Sequence, residues 1–238
     1  MSGPIPQPGV SDKAGVVEDF IDIFYQPATV YERRRNSSAW IPLIAVTLVV
    51  GLGYLASSGQ LQPVMDAEVT RAVQGNPGMS PEMIEQQRSF AAIGATVSVF
   101  VGTPIAIAFA GLVLLLTSKL VDATQTAGAS VLIAAWAYVP RMVQAVLLPI
   151  QLRFLDVASL DGMYRLSAGP ARVLDPDTTA PLVLALAGRF DLFIIWSTAL
   201  MAIGLSVIAR IPRGSAWVAA ALVWLLGAVP TVFSAVGR

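Results

Sequence analysis

An all-α, polytopic membrane bundle with five transmembrane helices is the fold class this sequence predicts, and three observations predict it. Hydrophobic residues make up 55% of the 238-residue chain and charged residues only 13%, against about 25% charge in an ordinary soluble domain. Five long apolar stretches occur, separated by polar segments, and each approaches the roughly 20 residues that carry a helix across a bilayer. The runs are uninterrupted, so they lack the alternation of a β-barrel strand. Runs of that length with almost no charge also argue against buried helices of a soluble protein.

Residues 1–12 are rich in Pro and Gly and predict no regular structure, with Asp12 placed to cap the helix after it. Within a tail over 1–36, Val16, Val17, Phe20, Ile21 and Phe24 recur at three- and four-residue spacing among Glu18, Asp19 and Asp22. That spacing predicts an amphipathic helix over 13–32, interrupted at Pro27. Arg33, Arg34 and Arg35 close it.

The membrane domain then occupies 37–238, with spans at about 38–58, 90–117, 128–152, 190–210 and 215–236. Gly51 and Gly53 allow the first span a close neighbour. The polar segment after it is broken at Pro77-Gly78 into a short helix over 61–74 and another starting at Pro81. The second span is long and carries Pro104; the third carries Pro140 and Pro149. In the polar segment after it, Asp177 is placed to cap a short helix through Leu186. Ile211 to Gly214 form a tight turn before the last span. No apolar run opens the chain, so the first span is expected to direct insertion, without a signal peptide or a C-terminal domain.

Composition excludes several function classes. The chain has no Cys and no His, which removes thiol catalysis, disulfides and Cys/His metal sites. Fifteen basic residues balance fifteen acidic ones, so no basic field draws nucleic acid. No nucleotide-binding loop, carboxylate pair, zincin motif or Ser-His arrangement is present. The expectation is a protein that is not an enzyme, needs no cofactor, and has membrane lipids, a membrane-protein partner or its own copies as company.

With the N-terminus in the cytoplasm, the inner side holds Lys13, Arg33, Arg34, Arg35, Lys119, Arg210 and Arg213. The outer side then holds Arg71, Arg88, Arg153, Arg165, Arg172, Arg189 and Arg238. The counts tie, and the arginine triplet beside the first span decides for an inner N-terminus and an outer C-terminus.

Arg141 is the residue to inspect first. It falls mid-way along the third span in AWAYVPRMVQAV, where an ionisable group is costly and faces protein or water. It marks a substrate, ion or headgroup site, or it is a structural Arg that snorkels or pairs with carbonyls freed around Pro140. Gln144, one turn on, and Tyr138, three residues before, share its face. Asp191 opens the fourth span, as a helix cap or as a partner reaching for Arg141. A rise of 1.5 Å per residue separates the two by roughly 13 Å, which favours the cap. Trp196 and Ser197, just beyond, read as packing. Pro104 either kinks its helix or exposes carbonyls to a bound ion. Asp122 pairs with Lys119 or caps the third span. Phe20 and Phe24, with Arg33, Arg34 and Arg35, could seat the tail helix on the inner leaflet; the same helix could dock a partner or cover the bundle floor.

Three segments carry a resemblance to a known family. They are the run from Phe20 to Pro27, the AWAYVPRMVQAVL segment of the third span, and DLFIIWSTALMAIG from Asp191 to Gly204. Together with five spans, they resemble the Yip1 family of small membrane proteins, in its bacterial form, over roughly residues 16–236. The resemblance implies an inner membrane protein with a cytosolic N-terminus. Eukaryotic members are associated with Golgi and endoplasmic reticulum membranes and with Rab-type GTPases. Their Asp-Leu-Tyr-Gly-Pro run is missing here, with Gly102-Thr103-Pro104 only a distant echo. The leading expectation is a non-enzymatic membrane organiser that holds lipid or a partner; the alternative is a small transporter, channel or permease-like subunit with its site around Arg141.

Overall fold

A computed structural model describes residues 15–74, 80–156, 160 and 162–236, with side chains omitted at 71–74, 81, 87, 88, 91, 92 and 234–236. The Asp12 cap and the Pro77-Gly78 break lie outside these residues. Among them the secondary structure is helical throughout, and five helical segments are long and apolar enough to cross a membrane: Trp40–Thr70, Ile93–Lys119, Ala127–Phe154, Leu192–Ala209 and Arg213–Phe233. The five-span, all-α expectation is met.

The tail forms two helices, α1 (Val16–Tyr25) and α2 (Pro27–Arg34), hinged at Gln26 because Pro27 can start a helix but not continue one. They fold against the bundle. Ile23, Val30 and Tyr31 are fully buried, Phe20 stacks 4.9 Å from Trp136, and Phe24 meets the edge of Trp196 at 5.2 Å. Asp19 is buried as well, and Arg33 and Arg34 both close on it, at 2.8 Å and 2.5 Å. Arg33 also pairs with Asp22, and that hydrogen bond, ahead of the other nearby carboxylates, holds its guanidinium above the usual arginine range.

The first span belongs to α3 (Trp40–Gln74), one continuous helix that absorbs the short helix expected over 61–74. Leu61, Val64 and Val69 continue its buried face past Ser58, and Pro63 is tolerated inside it beside Gly59, which has open space at its Cβ position. Helix α4 (Pro81–Val97), a π-turn at Ser98–Gly102 and α5 (Thr103–Lys119) make the second span. The π-turn ends just before Pro104, whose ring cannot sit under the carbonyl four residues back. The third span divides into α6 (Ala127–Ala137) and α7 (Pro140–Phe154). Around Pro140 the bonds tighten to three-residue spacing, from Val139 N–H to Trp136, Arg141 N–H to Tyr138 and Met142 N–H to Val139. After two short 3₁₀ turns, Met163–Leu166 and Pro170–Val173, come α8 (Pro181–Arg189), α9 (Leu192–Ala209), α10 (Arg213–Leu226) and α11 (Val229–Val236). Helix α8 starts at Pro181, not at Asp177, whose N–H donates 2.8 Å to the Asp175 carboxylate.

Helix α6 is the hub. Leu132 through Ala137 are all buried, among α5, α9, α3 and the tail. Its loop from α5 is sealed by Gln125, whose amide donates to Ser118 at 2.6 Å and Ser130 at 3.2 Å. Facing outward, Ile41, Ile44, Leu48, Leu52 and Leu55 on α3 and Ile105, Phe109, Leu112 and Leu116 on α5 are exposed. Such stripes would be untenable in water and suit hydrocarbon.

Two predictions arise from the packing. A Cβ on Gly53 would stand 2.5 Å from the Ala145 carbonyl oxygen, a backbone atom of α7 that cannot step aside. Gly53→Ala should therefore lower stability by about 1–3 kcal/mol, whereas Gly59→Ala, with nothing within 4 Å, should raise it by about 0.5–1 kcal/mol. Comparing the two in detergent unfolding checks both. The second concerns Tyr31, whose hydroxyl donates 3.3 Å to the Ile133 carbonyl. Burial pushes this phenol up, so the unfolded chain surrenders its proton first. Stability is complete below about pH 10 and falls as pH rises past it; Tyr31→Phe should remove that part of the alkaline loss in unfolding measured against pH.

Candidate intramembrane polar site

The elbow between α8 and α9 sets the site. Asp191 caps α9, accepting from Phe193 N–H at 2.9 Å with one oxygen. Its other oxygen accepts from the Ser167 hydroxyl at 3.0 Å and Ala168 N–H at 2.7 Å. One buried carboxylate thus starts a span and staples the 167–169 segment over it. Gly169 permits the approach, since a Cβ there would meet the Phe190 carbonyl oxygen at 2.7 Å. With both oxygens engaged, Asp191 forms no ion pair with Arg141.

Arg189, the last residue of α8, meets Trp224 of α10. Arg189 Nη2 donates 2.6 Å to the Trp224 carbonyl, and Trp224 Nε1 returns a bond of 3.1 Å to the Arg189 carbonyl. The guanidinium lies 5.6 Å from the Trp224 ring centroid, a cation–π distance. Trp224 lies near the end of α10, which breaks at Gly227; a Cβ on Gly227 would meet Arg189 Nη2 at 2.8 Å.

Arg141 approaches from α7. The break at Tyr138–Val139 puts it in the first turn of a new helix, with Tyr138 just upstream and 5.8 Å from its guanidinium. Its bond to Gln144 is long, 3.5 Å. Among the described residues it takes neither a carboxylate nor a freed carbonyl, so the pairing with carbonyls around Pro140 is not made.

Arg141 and Arg189 line one cavity of about 200 Å³, together with Tyr138, Ser197, Thr198 and Trp224. Arg141 also lines a second, of about 430 Å³, with Tyr54, Gln144, Gln151, Tyr164 and Asp191. Arg141 Nε, Arg189 Nε and Ser197 Oγ around the first cavity, and Gln151 Nε2 beside the second, are buried with no hydrogen-bond partner among the described residues. Buried donors without acceptors are rare and demand a reason.

The other sequence candidates fall elsewhere. Pro104 sits behind the π-turn in α5. Asp122 takes neither expected role: Thr126 caps α6, Lys119 Nζ donates to the Ala123 carbonyl at 3.3 Å, and Asp122 closes the turn at φ 57°. Phe20 and Phe24 face Trp136 and Trp196, and Arg35 pairs with Glu32 and reaches the Ile208 carbonyl. The tail's outward ridge is instead Val17, Ile21 and Tyr25, all exposed. Sequence reasoning does not single out Arg189 or Ser197 as site residues; the available signal for Arg189 is a charge ending the apolar run PLVLALAG.

These features define a class: a five-span helical membrane protein with a cavity lined by Arg141 and Arg189 and, among the described residues, no cluster of acidic groups suited to a metal. The family model for the Yip1 domain matches residues 21–234. The chain belongs to the Yip1 family, a group of non-enzymatic membrane-associated proteins. Comparisons with curated proteins and with solved structures each give no significant match.

Proposed function

We propose that this chain is a bacterial-type member of its family that organises the inner membrane by holding lipid, without catalysing a reaction. The observation that carries the reading is the pair of cavities meeting at Arg141, with four buried donor atoms around them that have no partner among the described residues. A catalytic site would set a nucleophile against a base; here cations and amides line the cavities, an arrangement suited to binding. The exposed ridge of Val17, Ile21 and Tyr25 supplies a second apolar surface, on a tail clamped to the bundle through Asp19.

In this reading the N-terminus is cytoplasmic and the C-terminus outside. The contact from Arg35 to the Ile208 carbonyl supports placing the tail at the end that carries Arg210 and Arg213, where basic residues mark the inner face. Extraction of the full chain in native-membrane particles, followed by lipid analysis, tests the proposal. The expected result is lipid retained through delipidation; a chain stripped clean by mild detergent would refute it.

The transporter reading rests on Arg141 forming a wall of both cavities. It requires solute flux into proteoliposomes that Arg141→Met abolishes in a folded protein; the lipid-holding reading expects none.

A further inference from the structure

We propose that Arg141, Arg189 and Ser197 form a seat for the phosphate of an anionic phospholipid, with an acyl chain lying between α5, α9 and α10. The inference deepens the lipid-holding reading and rests on it.

Three observations converge. The cavity of about 200 Å³ has two guanidinium groups in its wall, and among the described residues neither forms an ion pair. Two like charges brought together away from water are costly unless an anion stands between them. Three buried atoms around this cavity, Arg141 Nε, Arg189 Nε and Ser197 Oγ, have no hydrogen-bond partner among the described residues. Each can donate, and together they match the acceptor oxygens of a phosphate, which arginine's planar fork grips best. Beside Tyr138, Thr198 and Trp224, the remaining wall is apolar. Ala106, Phe109 and Val113 of α5, Met201 of α9 and Val223 of α10 extend from the charged end. Phe109 is 58% exposed on the outer surface of α5, so the groove reaches the hydrocarbon. A free anion would use only the charged end; a phospholipid uses both.

The seat is already braced. The Trp224 carbonyl and ring fix Arg189 while leaving its Nε without a partner among the described residues, and Asp191, the carboxylate that caps α9, has both oxygens occupied. Ser197 lies six residues beyond Asp191 along α9, about 9 Å below the helix start.

The test uses the full chain in detergent, delipidated and mixed with dioleoyl phosphatidylglycerol, dioleoyl phosphatidylcholine or inorganic phosphate, and read by native mass spectrometry. Wild type should retain phosphatidylglycerol about tenfold better than phosphatidylcholine, and Arg141→Met should cut that retention about tenfold. Ser197→Ala should weaken it about threefold, and Arg141→Lys should restore only part of what Arg141→Met loses. Ser197→Ala is small enough to keep the test open should Arg141→Met not fold. Inorganic phosphate in excess should leave the bound lipid in place. Equal retention by wild type, Ser197→Ala and Arg141→Lys would overturn the seat while leaving lipid binding elsewhere intact. Displacement by inorganic phosphate would overturn the acyl-chain half. Absence of any retained lipid on wild type would sink the lipid-holding reading itself.

Discussion

Asp19→Ala should release the tail from the bundle at a cost of about 3–5 kcal/mol, the penalty for removing one partner of a buried ion pair. Asp19 is fully buried and takes Arg33 at 2.8 Å and Arg34 at 2.5 Å. Without it two guanidinium groups face each other under α1, and Asp22 can answer only one. Water then becomes the better partner, and α1–α2 swing away. Amide exchange over residues 16–34 should accelerate sharply while α9 and α10 stay protected. Arg34→Met, which leaves Arg33 and its two carboxylates, should cost less. Unchanged exchange in Asp19→Ala would mean that the apolar contacts of Ile23, Val30 and Tyr31 suffice alone.

The second large effect is expected at Trp136. It is 1% exposed and stands where α6 meets the tail, against Phe20. Truncating a buried aromatic costs about 3–5 kcal/mol through lost burial and the cavity left behind. Trp136→Ala should therefore destabilise both the hub and the tail docking. Trp136→Phe should recover most of the loss, because the indole Nε1 has no hydrogen-bond partner to lose among the described residues. Thermal unfolding of the two variants in detergent separates them; equal loss in both would point to the indole nitrogen as the source.

The five spans are legible because hydrocarbon imposes length and composition on a sequence directly, and Pro140 announces the break that starts α7. Other features depend on what packs against what. Helix α1 carries apolar residues on both sides, Phe20, Ile23 and Phe24 against Val17, Ile21 and Tyr25, so periodicity alone cannot say which side meets the bundle. Asp19 reads as a solvated charge because its partners come fourteen and fifteen residues later, beyond the hinge at Gln26. The site is half legible. Arg141 stands out as a charge inside an apolar run, and Asp191 as a cap. Arg189 does not, because the residue that holds it, Trp224, lies 35 residues further along the chain. The end of α3 is hidden for a similar reason: Leu61, Val64 and Val69 are sparse among polar neighbours, and burial against the bundle keeps the helix going.

Whether Arg141 and Arg189 hold a lipid phosphate between the helices is tested most directly by a dephasing measurement. Arginine labelled with ¹⁵N is introduced into the full chain, which is reconstituted in phosphatidylglycerol bilayers and examined by ³¹P–¹⁵N solid-state NMR. The expected result is guanidinium signals strongly dephased by phosphorus that disappear in the Arg141→Met, Arg189→Met double variant. Dephasing identical in wild type and the double variant would place every lipid contact on the other arginines and contradict the account.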